Sequence, residues 1–247
     1  MSTLAVRHLS KAFGGVRAVR DVSFAVEPGE LLAMIGPNGA GKSTCFNLVN
    51  GQLKPDAGEI FFGERRIDGL PPRELCRLGI GRTFQVAAAF GSMSVCENVQ
   101  VAILSRMRKL GSVFASLKDN SAEELLAQTG IADLAGQHCA ELAYGDLKRV
   151  ELAIALAGRP RLLLMDEPAA GMAAGERHAL MNLVRGISRE KGISVLFTEH
   201  DMDVVFAYAD RVIVLSEGKL IAGGTPAEVR ADPLVRRVYL GEEATHA

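Results

Sequence analysis

The chain has 247 residues, 48% of them hydrophobic, with 28 Lys and Arg against 29 Asp and Glu for a net charge of -1. That is ample for the core of one large domain, or of a domain with an insertion, and it excludes a disordered chain; the balanced charge argues against a nucleic-acid binder, which carries a basic surplus. No apolar run approaches the roughly 18 residues of a membrane span, the start Met1-Ser2-Thr3-Leu4-Ala5-Val6 lacks the parts of a secretion signal, and Cys45, Cys76, Cys96 and Cys139 are scattered like reduced cytosolic thiols.

In chain order, Leu4 to His8 and Val22 to Val26 read as strands, the second alternating Val22, Phe24 and Val26 on one face. After the turn Pro28-Gly29-Glu30, Leu31 to Ile35 is an apolar run of buried-strand length. Residues 36–44 then read Gly36-Pro37-Asn38-Gly39-Ala40-Gly41-Lys42-Ser43-Thr44, and Ser43 to Asn50 is free of helix breakers until Gly51. A turn at Lys54 to Gly58 precedes the strand Glu59 to Phe62. From about Ala87 to Asp146 strand patterns fade, and Ser94 to Met107 and Ala122 to Gln128 read as helices. Leu147 to Ala157 is a further helix, stopped by Gly158-Arg159-Pro160. Buried strands return at Leu162 to Met165, Ser194 to Phe197 and Val212 to Leu215, separated by helical stretches. Near-continuous apolar strands alternating with helices predict a mainly parallel sheet covered on both faces. The expected fold is one α/β nucleotide-binding core, 1–86 and 154–247, interrupted by a helical unit over 87–153.

Residues 36–43 form a complete G-x-x-x-x-G-K-[ST] loop on a strand-to-helix turn, where its mechanism requires it. The glycines let successive N–H groups point at phosphate oxygens, with a helix N-terminus behind them. Lys42 adds a charge at the β- and γ-phosphates, and the Ser43 hydroxyl suits Mg²⁺. The strand at Leu162 ends in Asp166-Glu167. Ligand sites lie beyond the carboxyl ends of parallel strands, so Asp166 is expected to hold Mg²⁺ and Glu167 to activate a water. Alone, such a pair reads equally as a helix-capping turn. His200 follows its own buried strand and is assigned to the γ-phosphate, whereas His8, His138, His178 and His246 read as surface or structural. Gln85 falls at the junction of core and insertion, suited to Mg²⁺ or water, although a glutamine by itself says little. Asp146, in Leu142-Ala143-Tyr144-Gly145-Asp146, fits an N-cap, and the helix start behind it offers N–H groups to an anion. Val86-Ala87-Ala88-Ala89-Phe90 is apolar, either a docking segment or internal core.

The ordered set of phosphate loop, Gln85, Leu142 to Asp146, Asp166-Glu167 and His200 resembles the ATP-binding cassette ATPases of ABC transporters, over about residues 3 to 241. The resemblance implies an antiparallel β subdomain beside the core, a head-to-tail dimer holding two ATP, and a signature loop, Leu142 to Asp146, that caps the ATP of the second subunit. It also implies that Phe13 stacks on adenine. Tyr144-Gly145, Asp166 to Met172, Gly224-Thr225-Pro226 and Val238-Tyr239-Leu240-Gly241 look most like the branched-chain amino acid importer ATPases. Urea or amide importers and lipopolysaccharide exporters share much of this pattern. The implied partners are a second ATPase subunit, transmembrane permease subunits and, indirectly, a substrate-binding protein, with the chain peripheral on the cytoplasmic face of the inner membrane. Two positions depart from the family: Ala143 where Ser is frequent, and Ala173 where Asp or Asn is frequent.

Overall fold

The computed structural model describes residues 2–83, 89–107 and 121–243. Its larger sheet contains β3 (Leu31–Ile35), β6 (Ile80–Thr83), β7 (Leu162–Asp166), β8 (Ser194–Thr198), β9 (Arg211–Ser216) and β10 (Lys219–Gly224), in the order β10-β9-β3-β8-β7-β6. All neighbours are parallel except β10, which returns antiparallel against β9. Every residue of β3, β7 and β8 is buried. Both faces of these strands are covered, which is why their sequences are unbroken apolar runs.

The side-chain alternation of a strand sorts the residues into two cores. Leu32, Met34, Leu162, Leu164 and Leu196 face α1 (Lys42–Val49), which contributes Cys45, Phe46 and Leu48. Leu31, Ala33, Leu163, Val195 and Phe197 face the other way, onto Leu180, Met181 and Val184 of α6 (Ala174–Lys191) and Val204 and Val205 of α7 (Met202–Tyr208). The short α8 (Pro226–Ala231) and the closing α9 (Pro233–Glu243) add Val229 and Val235 to this second core.

A four-stranded antiparallel sheet in the order β2-β1-β4-β5 is the expected β subdomain, built from β1 (Leu4–Phe13), β2 (Val16–Val26), β4 (Ala57–Phe62) and β5 (Arg65–Arg66). Leu4, Val6, Leu9, Val22 and Ile60 join the α1 core. Both hairpin strands run further than the sequence pattern suggests, to Phe13 and from Val16. Register shifts between Val6 and Leu9, Leu9 and Lys11, and Lys11 and Ala12 break the period-2 pattern while the pairing continues. Between the sheets, α2 (Pro72–Leu78) leads into β6.

Helices α3 (Val95–Met107), α4 (Ser121–Gln128) and α5 (Tyr144–Ala157) enclose a third apolar cluster, including Val95, Val99, Leu126, Val150 and Ala153. α5 serves two cores: Val150 and Ala153 face this cluster, Leu152 and Leu156 the sheet. It runs without a break through the expected boundary at 153/154.

Candidate nucleotide-hydrolysis site

The loop from Gly36 to Gly41 joins β3 to α1, and its tightness is a main-chain matter. A Cβ on Gly36 would stand 2.1 Å from the Leu215 carbonyl oxygen, and one on Gly41 2.3 Å from that of Ala18. Gly41, the N-cap of α1, also has φ +99°, a left-handed conformation that favours glycine. Ala40 is buried and its carbonyl accepts from the Gly218 N–H at 3.0 Å, whereas Asn38, Gly39 and Ser43 are exposed and Pro37 and Thr44 half-buried. Lys42 is buried, and its ammonium donates to the carbonyls of Gly36 (2.5 Å) and Pro37 (3.0 Å). The charge therefore sits within the turn of the loop itself. Phe13 ends β1 opposite Val16, 48% exposed, with the Lys11 ammonium 5.6 Å from its ring centroid. Ala18, whose carbonyl backs Gly41, lies two residues beyond Val16 on the same hairpin.

Asp166 and Glu167 differ in backbone although adjacent. Asp166 is the last residue of β7, in register with Thr198 at the end of β8. Glu167 turns out of the strand with φ +49°, unusual for a side chain with a Cβ. Its N–H donates to both the carbonyl and the hydroxyl oxygen of Thr198, each at 3.1 Å. The Thr198 hydroxyl in turn donates to Asp166 Oδ1 at 2.7 Å. Glu167 Oε1 lies 2.7 Å from His200 Nε2, the histidine ring half-exposed and the carboxylate more sheltered. Glu199, buried between them in sequence, accepts from the N–H groups of Ala169 (2.9 Å) and His200 (3.1 Å). Burial pushes the Glu199 carboxyl above its ordinary pKa, the Glu167 charge adds to this, and its backbone N–H donors oppose it. Arg82, the last but one residue of β6, places a guanidinium nitrogen 3.9 Å from Asp166 Oδ2. Burial lowers the Arg82 pKa while Asp166 holds it up.

Strand order makes these residues neighbours. β8 lies between β3 and β7, so the phosphate loop, the carboxylates and His200 all leave the carboxyl ends of adjacent parallel strands. Thr198 and Glu199 escaped the sequence reading. Their one signal is a polar pair closing an apolar strand, where a buried hydroxyl or carboxylate must find partners.

The segment Leu142 to Asp146 corrects one expectation. Ala143 is the N-cap of α5, with φ -62° and ψ 151°, and the helix begins at Tyr144. Asp146 lies inside the first turn, because Tyr144 and Gly145 are already helical; there it still complements the helix dipole. Without a side-chain cap on Ala143, the helix start keeps N–H groups for another acceptor. Tyr144 is 45% exposed, with the Lys148 ammonium 5.4 Å from its ring centroid, and Lys148 pairs with Glu151 at 3.0 Å in a buried site. A Cβ on Gly171 would lie 3.6 Å from the Tyr144 ring, and one on Gly145 3.3 Å from the Glu176 carboxylate, so the loop after β7 and the start of α6 support this turn.

Gln85 and residues 86–88 lie outside the described residues, as does His246. Phe90 is 58% exposed, which removes the core reading for that residue. Asn98 holds its main chain, accepting from the Phe90 N–H at 2.7 Å and donating to its carbonyl at 3.1 Å. His8 pairs with Asp21 at the surface and His178 with the Tyr208 hydroxyl. All four cysteines are free thiols, and burial pushes Cys45 up to about 12. Among the described residues no helix is long and apolar enough to cross a membrane.

A phosphate loop at the end of β3, flanked by the carboxylates of β7 across a shared parallel sheet, defines a P-loop ATPase. The chain belongs to the ABC transporter family, whose model matches residues 19–170, and a second model, described as a branched-chain amino acid ATP-binding cassette transporter, matches residues 219–245. It is 38% identical to the high-affinity branched-chain amino acid transport ATP-binding protein LivG of Salmonella typhimurium, over 97% of this chain and 98% of that one. Identity is also 38% to the lipopolysaccharide export system ATP-binding protein LptB of Escherichia coli, over 98% and 99% of the two chains. Among solved structures, the ADP conformation of the ATP-binding cassette MJ1267 aligns with a TM-score of 0.86 at 33% identity, over 98% of this chain and 99% of that one. A dimeric structure of MJ0796, a bacterial ABC transporter cassette, aligns with a TM-score of 0.78 at 25% identity, over 90% and 98%.

Proposed function

We propose that this ATPase powers uptake of branched-chain or other hydrophobic amino acids through separate permease subunits fed by a substrate-binding protein. The match over residues 219–245 and the relation to LivG support that cargo. The equal identity with LptB supports lipopolysaccharide export as the second reading. In this proposal the chain sits peripherally on the cytoplasmic face of the inner membrane, and the helical unit over 87–153 passes the motion of the ATP site to the permease.

The residues divide the chemistry as follows. The backbone of the loop from Gly36 to Thr44, through the N–H groups of its residues other than Pro37, and the Lys42 ammonium hold the phosphates, while Phe13, exposed on the neighbouring hairpin, stacks on adenine. Ser43, Asp166 and Gln85 would hold Mg²⁺. A hydroxyl, a carboxylate and an amide oxygen are the hard donors this ion takes, and it relies on one or two carboxylates plus phosphates rather than an all-protein cage. Among the described residues no group of three or more His, Cys, Asp and Glu forms such a cage. When bound, the ion neutralises charge on the phosphate oxygens. Glu167 orients and deprotonates the attacking water, and His200 senses the γ-phosphate while holding the Glu167 carboxylate. Leu142 to Asp146, at the uncapped start of α5, closes over the ATP of a second ATPase subunit, whether a copy or a sister chain. The dimeric relative MJ0796 supports this arrangement.

The 2.7 Å contact of Glu167 with His200 beside Asp166 carries the hydrolytic assignment. Glu167→Gln is expected to keep ATP binding but lose roughly two orders of magnitude in turnover, as for loss of a general base. Lys42→Ala is expected instead to weaken nucleotide binding. Steady-state ATPase assays with permease partners present decide the matter, and a wild-type rate for Glu167→Gln would overturn the role. Stimulation of turnover by leucine-loaded binding protein in reconstituted vesicles separates amino acid import from lipopolysaccharide export.

A further inference from the structure

We propose that Thr198 is a positioning residue for hydrolysis, its hydroxyl locking the backbone of Glu167 to the carboxylate of Asp166. The proposal rests on the hydrolytic role of Glu167 given above.

A hydroxyl offers one donor and two acceptor lone pairs. Thr198 spends the donor on Asp166 Oδ1 at 2.7 Å and accepts the Glu167 N–H at 3.1 Å. It is 1% exposed, so water has no access to replace either bond. The two contacts fix groups with different duties, a metal-binding carboxylate and the main chain that aims the water-activating one. Glu167 also needs holding, because its φ of +49° is disfavoured for a residue with a Cβ. Without the hydroxyl the Glu167 N–H keeps only the Thr198 carbonyl, at 3.1 Å, and the tie between the Glu167 main chain and the Asp166 carboxylate is lost. Glu199 braces the same two loops separately through the N–H groups of Ala169 and His200. Loss of the Thr198 hydroxyl should therefore misaim Glu167 without opening the fold.

The test compares Thr198→Val, which keeps the shape and removes the hydroxyl, with Thr198→Ser, which keeps the hydroxyl. Expected for Thr198→Val is a kcat lower by about tenfold or more, since a hydrogen bond to a charged group is lost. The KM for ATP should stay within about threefold, because the phosphate loop is untouched, and Thr198→Ser should restore most of the rate. A merely structural role would lower the melting temperature of both variants without separating kcat from KM. Wild-type kcat in Thr198→Val, or a Thr198→Ser enzyme as slow as the valine variant, overturns the proposal. Should the valine variant not fold, Thr198→Ala against Thr198→Ser is judged by the same criterion. An inactive Glu167→Gln beside a normal Thr198→Val defeats this proposal alone, whereas an active Glu167→Gln defeats the hydrolytic assignment beneath it.

Discussion

Ala143 and Ala173 occupy the same station on two helices: each is an N-cap with extended backbone, ψ 151° and 152°, and each lacks a side chain that can cap. These are also two positions where the resemblance leads one to expect a polar residue. At α6 the gap is partly filled by Glu176, whose carboxylate accepts from the Ala173 N–H at 3.4 Å. Among the described residues nothing equivalent serves α5, where Ala143 has no side-chain cap. Ala143→Ser is therefore expected to stabilise the protein by about 1 kcal/mol, the usual worth of a serine N-cap. Urea denaturation of the isolated chain measures this. In the proposed dimer the added hydroxyl would meet the phosphate of the partner's ATP, so the variant should remain active and hold the ATP-bound dimer at least as well. An ATPase loss as deep as that of Lys42→Ala would show instead that the position has no room for an oxygen.

Glu199 makes stability depend on pH. Its folded pKa is raised above the ordinary 4.5, chiefly by burial. A raised carboxyl binds its proton more tightly in the folded state, so its contribution is fully present below the unfolded pKa and is lost as pH rises through the folded one. Glu199→Gln removes that titration. The melting temperature of the variant relative to wild type should therefore climb as pH is raised from about 4.5 toward neutrality. A constant offset, such as that of an amide nitrogen facing the His200 N–H, shifts the whole curve without changing its slope. A difference that stays flat across this range would show that burial does not raise Glu199.

Phe90 tests the proposed docking of the permease. At 58% exposure it can become Asp without burying a charge, so Phe90→Asp should melt within a few degrees of wild type and bind ATP normally. Its association with the membrane subunits should be lost, as expected for an aromatic anchor. Co-purification with the permease measures this, and undiminished association would remove Phe90 from the interface.

The parts of the fold most legible in the sequence are those where burial is uniform. β3, β7 and β8 are five-residue strands buried throughout, and their apolar runs say so directly. The hairpin strands were legible only up to their irregularities, since a register shift leaves pairing intact but scrambles alternation. β6 and β10, with sequences Ile80-Gly81-Arg82-Thr83 and Lys219 to Gly224, carry little apolar pattern, because their place comes from pairing with β7 and β9. In the site, Lys42, Asp166 and Glu167 stand out because their spacing is local. Thr198 does not, since its importance arises from register with a residue 32 positions away. The start of α5 lies earlier than residue preference suggests: Asp is a stronger N-cap than Ala, but backbone angles set the boundary at Ala143.

The carbonyl of Ala18 stands where a Cβ on either Gly41 or Gly218 would fall, at 2.3 Å and 2.9 Å. Three stretches of chain, two near its start and one far along it, thus share one spot with room for main chain only. The Arg20 N–H donates to Gly218, and the Gly218 N–H donates to Ala40, closing the circle. This sets an order of events during synthesis. The phosphate loop is made early, but its backing waits for residue 218. A chain cut before β9 lacks that backing, and its phosphate loop is left without the main-chain contacts of Leu215 and Gly218.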